Sequence, residues 1–110
     1  MPQPEAIVSM DGNGVITEFS QESESIFGYK AEDVVGQPLT ELLIPLRFRR
    51  AHTEDFGRFL KSGQGKLLDT EKPIPLTLMR ADQTEFPVHL LMTATPDGDR
   101  TIYRSRVQPV

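Results

Sequence analysis

"AIVSMDGNGVITEFSQESESIFGY", residues 6–29, decides how the rest of the chain is read. Ala6–Met10 and Val15–Phe19 are two β-prone runs, and "DGNG" joins them. Gly12 and Gly14 take positive φ freely and Asn13 tolerates it, so the stretch reads as a hairpin. Ser20 then offers a side-chain oxygen to the start of a short helix. Glu22 and Glu24 lie near that start, where negative charge suits the helix dipole. Gly28 is a good left-handed stop. One strand pair leading directly into a short helix is the pattern to extend.

Toward the C-terminus, "KAEDVVGQPLTELL" (residues 30–43) gives two more helical turns, broken by Gly36 and Pro38. Pro45 fits the first turn of a longer helix, where its missing N–H costs nothing. Phe48, His52, Phe56 and Phe59 then recur at helical spacing and share one stripe, while Arg49, Arg50, Glu54 and Lys61 fall largely elsewhere. Ser62-Gly63 ends the element, and "GQGKLLDTEKP" is a polar connector.

Three strands complete the chain. "IPLTLMR" puts Ile74, Leu76 and Leu78 on one face. "EFPVHLLMTAT" puts Phe86, Val88, Leu90 and Met92 together, with His89 opposite them. "ADQTE" turns between those two strands, and "PDGD" turns the chain into "TIYRSRV". Pro75 gives no ladder N–H, which places its strand at a sheet edge. Segregated helices beside antiparallel hairpins predict an α+β domain with one sheet and its helices packed on one face.

The composition removes several functions. With 110 residues the chain is one compact domain. A net charge of -4 and a pI near 5.1 argue against nucleic-acid binding, which favours a basic stripe. Glu54 and Asp55 interrupt the loose basic run from Arg47 to Lys66, as in a solvated helix face. Zero cysteines exclude disulfides, thiolate metal sites and a cysteine nucleophile, and suit a cytoplasmic location. No apolar run approaches the roughly 20 residues needed to cross a bilayer, so no membrane insertion is expected. No G-x-S-x-G, H-E-x-x-H or P-loop is present, so no enzyme is expected. His52 and His89 are far apart and point differently, which argues against a shared metal site.

In this order, these segments resemble the PAS domain family. "IVSMDGNGVITEFSQESESIFGYKAEDVVGQPLTELLIP" is similar to the family's N-terminal half, and "ADQTEFPVHL" resembles its hairpin R-x-D-G-x-x-F-P-V-x-L. Gln83 stands where that hairpin usually carries glycine, and "SRVQPV" lacks the D-I-T that often follows the last strand. The match spans about Ala6 to Val107. It implies a PAS fold, a five-stranded antiparallel sheet in the order 2-1-5-4-3, with a ligand pocket between sheet and long helix. This agrees with Pro75 on an edge. Residues 1–110 are then expected to be a single PAS domain excised from a longer multidomain signalling protein.

"RAHTEDFGRF" further resembles the haem-binding stretch of the oxygen-sensing branch. That resemblance implies His52 as a haem-iron ligand and Arg58 beside the propionates. Phe56, Phe59, Ile74, Leu76, Leu90 and Met92 would supply apolar walls. The same residues equally fit an ordinary core around a hydrogen-bonded histidine, and Ile74 stands where those oxygen sensors carry an arginine. Flavin fits less well, because the light-sensing branch uses a reactive cysteine. An organic acid or another small metabolite is a further alternative.

The resemblance thus implies a regulatory module of a bacterial histidine kinase or cyclic-nucleotide signalling enzyme. Its partners would be a small ligand or redox or gas signal, a neighbouring effector domain and a second copy in a homodimer. A ligand-free dimerisation module is the alternative. It needs an apolar patch on the outer sheet face, for which Val8, Ile16, Leu91 and Tyr103 are the candidates depending on register.

Overall fold

The computed structural model describes residues 5–62 and 74–110, with helix residues 55–62 given by backbone alone. The connector at 63–73 and the side chains of Phe56, Arg58 and Phe59 lie outside the described residues. The elements are β1 (Ala6–Met10), β2 (Ile16–Phe19), α1 (Gln21–Phe27), α2 (Ala31–Val34), α3 (Leu39–Leu43), α4 (Leu46–Ser62), β3 (Ile74–Met79), β4 (Glu85–Asp97) and β5 (Arg100–Pro109). The strands form one antiparallel sheet in the order β2-β1-β5-β4-β3, as expected. β3, which carries Pro75, is an edge strand.

The first turn forms for the reason its residues suggest. The Asp11 carboxylate accepts from the backbone N–H groups of Asn13 (2.8 Å) and Val15 (3.1 Å), holding the chain while Gly14 adopts φ 78°. After β2, the Ser20 hydroxyl caps α1 by accepting from Ser23 N–H (3.3 Å), and it also accepts from Ile7 N–H (2.9 Å) on β1. One side chain therefore starts the helix and ties it to the sheet. Gly28 closes α1 at φ 84° and donates to the Glu24 carbonyl. The segment after α2 lies along β2: Ile16 N–H donates to Gln37 O (2.9 Å), and Gly36 N–H donates back to Ile16 O (2.8 Å).

Alternation along the strands fixes which side chains face the helices. Across β1, β5 and β4, Ala6 pairs with Val107 and Val107 with Leu90. Val8 pairs with Ser105 and Ser105 with Met92. These six are all buried and share a core with Phe27 of α1, Val34 of α2 and Leu39 and Leu43 of α3. Phe27 is fully buried, its ring 5.9 Å from Phe19 and 5.6 Å from Phe86. Phe19, Phe27 and Phe86 thus join β2, α1 and β4 through one aromatic chain.

Two expectations are corrected. Val8, Ile16 and Tyr103 belong to the buried core and not to the outer sheet face, where of the four candidates only Leu91 lies. Their strands start and stop so that the parity of Val8 and Tyr103 follows Ala6 and Val107, which face the helices. Phe48 does not continue the inward stripe. It is 41 % exposed, one turn before the cavity-lining His52, and the Arg47 guanidinium sits 4.6 Å over its ring.

Candidate functional site

Between the sheet and its helices lies a cavity of about 30 Å³. Its sheet side is built from Val8 and Met10 of β1, Ser105 and Val107 of β5, Leu90 and Met92 of β4, and Leu76 and Leu78 of β3. Its helix side is built from Phe27, Leu39, Leu43, Ile44 and His52. The expected wall residues His52, Leu76, Leu90 and Met92 are therefore brought together. Ile74 is half-buried, pairs with Leu90 in the ladder and lies off the cavity wall among the described residues. Arg58, Phe56 and Phe59 fall on α4 beyond the described side chains.

The helix side is held in place at the start of α4. The Arg49 guanidinium donates to the carbonyls of Ile44 (2.9 Å) and Glu41 (3.0 Å), binding α4 to the end of α3. Arg47 forms a two-point ion pair with Glu85 at the beginning of β4. These contacts fix the angle at which α4 leaves α3, and with it the position of His52 against the cavity.

The chemistry of the walls is apolar except at two points. His52 enters from α4, and Ser105 enters from β5, the strand at the centre of the sheet. Buried Ser9 and Ser23 have hydrogen bonds: Ser9 donates to Glu18 at 2.8 Å and Ser23 to the Ile7 carbonyl at 2.8 Å. Ser105, only 5 % exposed, is the remaining buried polar side chain among the described residues. Sequence reasoning passed over it, although "YRSRV" carries the signal: Arg104 and Arg106 face outward, so the alternation turns Ser105 inward with Tyr103 and Val107.

His52 has the position that the haem resemblance requires, but the cavity it lines among the described residues is small. One water needs roughly 10–15 Å³ of such volume, so about 30 Å³ admits a few atoms and no macrocycle. Among the described residues, the cavity as arranged does not fit haem. Among the described residues no group of three or more histidine, aspartate or glutamate side chains is placed to hold a metal ion. No helix among them is long and apolar enough to cross a membrane.

A five-stranded antiparallel sheet in this order, with short helices and one longer helix over an internal chamber, defines a sensory α+β module. The chain belongs to the PAS domain family, whose model matches residues 4–107. An uncharacterised protein of Azorhizobium caulinodans is 30 % identical over 106 residues, covering 96 % of this chain and 14 % of the relative. The sensor protein FixL of Bradyrhizobium diazoefficiens is 27 % identical over 105 residues, covering 96 % of this chain and 20 % of that protein. The chain thus spans a fifth or less of these relatives' lengths. Among solved structures, the PAS domain of an HTR-like protein from Haloarcula marismortui superposes with a TM-score of 0.74 at 20 % identity, covering 97 % of this chain and 82 % of that one. The PAS domain of the Cronobacter turicensis RpfR quorum-sensing receptor, solved in complex with BDSF, gives 0.66 at 19 % identity, covering 96 % and 93 %. Identities this low establish the shared fold alone.

Proposed function

We propose that this PAS domain senses a small molecule in the chamber between sheet and helices. It reports occupancy to a neighbouring effector domain of a bacterial signalling protein, a histidine kinase or a cyclic-nucleotide enzyme. The observation that carries the reading is the internal cavity, walled by apolar side chains with His52 and Ser105 as its polar points. Natural cores are packed with few voids larger than a water molecule, so an apolar hole at this place in the fold calls for an occupant. Similarity to a sensor protein and to a PAS domain solved with a bound ligand supports the same assignment.

His52, Leu76, Leu90 and Met92 are the proposed contacts. A ligand favouring one packing of α4 on the sheet shifts the population toward that packing, and the shift reaches the effector through β5. The domain itself regulates and does not catalyse. It works in the cytoplasm as a homodimer. The outer face supports that last point: half-buried Ile7 and Leu91 flank Arg106 on neighbouring strands and offer a mixed apolar and charged surface to a second copy. Ligand-free dimerisation is the competing role for that face.

Native mass spectrometry of the purified protein tests both readings together. A retained small molecule that leaves on mild activation, and whose removal lowers the melting temperature, is the expected result. A ligand-free dimer whose melting temperature no metabolite library raises would replace sensing with the dimerisation role.

A further inference from the structure

We propose that the Ser105 hydroxyl is the recognition group of the chamber, and that it selects a compact, neutral ligand carrying one hydroxyl or carbonyl group on an apolar body. This rests on the sensing reading above and deepens it. Ser105 is 5 % exposed, lines the cavity and has no hydrogen-bond partner for its hydroxyl among the described residues. No fully enclosed side-chain oxygen or nitrogen among the described residues lacks a partner, so the Ser105 oxygen opens onto the cavity space. Buried hydroxyls are hydrogen-bonded in the large majority of cases, and one that is not requires a reason.

Strand geometry supplies the reason. Ser105 sits at the middle of β5, directly between Val8 of β1 and Met92 of β4, and neither neighbour offers a polar side-chain partner. A valine or alanine would fill this place in the sheet without leaving a polar atom uncompensated. Water is a weak tenant, since a buried water is typically held by roughly two to four polar groups and His52 and Ser105 are the two polar side chains on this otherwise apolar wall among the described residues. An ion is worse, because an unpaired charge is strongly disfavoured in an apolar enclosure. A neutral molecule with one polar atom satisfies both the hydroxyl and the apolar walls. The hydroxyl both donates and accepts, so alcohols and carbonyl compounds each match it.

The test uses the intact domain with labelled methyl groups at Val8, Leu90, Met92 and Val107. Two probes of equal length are titrated, 1-propanol and 1-chloropropane, of which only the alcohol forms strong hydrogen bonds. Both are expected to shift those methyl resonances in the unmodified protein. Ser105→Ala should weaken 1-propanol by about three- to tenfold, the range of one net hydrogen bond, and leave 1-chloropropane unchanged. Ser105→Thr, which keeps the hydroxyl on a strand-compatible residue, should restore the alcohol's advantage. If Ser105→Ala weakens both probes equally, or neither, the assignment of Ser105 is wrong while the chamber remains a binding site. If neither probe moves those methyl resonances in the unmodified protein, the sensing reading fails along with it.

Discussion

Gln83 sits at φ 71°, the sole non-glycine residue among those described in the left-handed region. It occupies the turn between β3 and β4, where its N–H donates to the Arg80 carbonyl (2.8 Å) and Thr84 O accepts from Arg80 N–H (2.9 Å). The turn is thus closed by backbone bonds that any residue can make, and the side chain contributes only strain. An L-residue in this conformation costs roughly 1–2 kcal/mol, and glycine returns about 0.5–1 kcal/mol of that through its freer unfolded chain. Gln83→Gly should therefore stabilise the domain by about 0.5–1 kcal/mol, or a rise of about 2–6 °C in melting temperature at this size. Gln83→Asn should gain less, and Gln83→Val, branched at Cβ, should lose stability. Calorimetry supplies the melting temperatures and urea titration the free energies. An unchanged or lowered melting temperature for Gln83→Gly would refute the claim that strain is held at this turn.

Phe27→Ala removes the fully buried ring between Phe19 and Phe86 and should cost about 3–5 kcal/mol, a large share of the roughly 5–15 kcal/mol that holds a typical domain folded, read as a lowered urea midpoint and melting temperature by circular dichroism. A double-mutant cycle on Arg47 and Glu85 should return a coupling of about 0.2–1 kcal/mol in urea titrations, since the pair is partly exposed. That coupling should shrink at high salt, and a coupling indifferent to salt would contradict an ionic origin. The Asp82 carboxyl is held below the usual carboxylate range, first by the Thr84 hydroxyl (2.6 Å), then by the Thr84 N–H (3.0 Å), with Arg80 adding charge. A carboxylate with a lowered folded pKa adds stability above its unfolded pKa and loses it as the pH falls through the folded value. Asp82→Asn should consequently flatten the acid limb of the stability curve by slightly lowering the melting temperature at neutral pH, while melts below the folded pKa stay little changed, as followed by melts across that range.

The fold was legible because its signals are local and repeated. The Asp11–Gly14 turn, the Ser20 cap and the Gly28 stop each act within a few residues, and the alternation of Phe86, Val88, Leu90 and Met92 gave the facing of β4. Parity was harder in β1, where Ile7 and Val8 are both apolar and only the partner strand shows which one faces the helices. The candidate site was half legible. His52 and the wall residues Leu76, Leu90 and Met92 came from periodicity and resemblance, whereas Phe48 was misplaced because helical phase says nothing of where the core ends. Ser105 went unremarked because a lone serine carries no motif. Its meaning comes from the apolar neighbours that other strands place around it.

The strap from Gly36 to Leu39 has a consequence for how this protein can associate. Its bonds to Ile16 at the start of β2, together with Leu39 N–H donating to Gly14 O (2.9 Å) just before that strand, occupy edge polar groups that would otherwise invite another chain's strand. At the far side of the sheet, Pro75 leaves a gap in the row of donors along β3. Sideways polymerisation, in which sheets extend one another into fibres, is therefore discouraged at both flanks. Assembly is steered toward contacts made broadside, through surfaces whose side chains can be tuned without endangering the backbone.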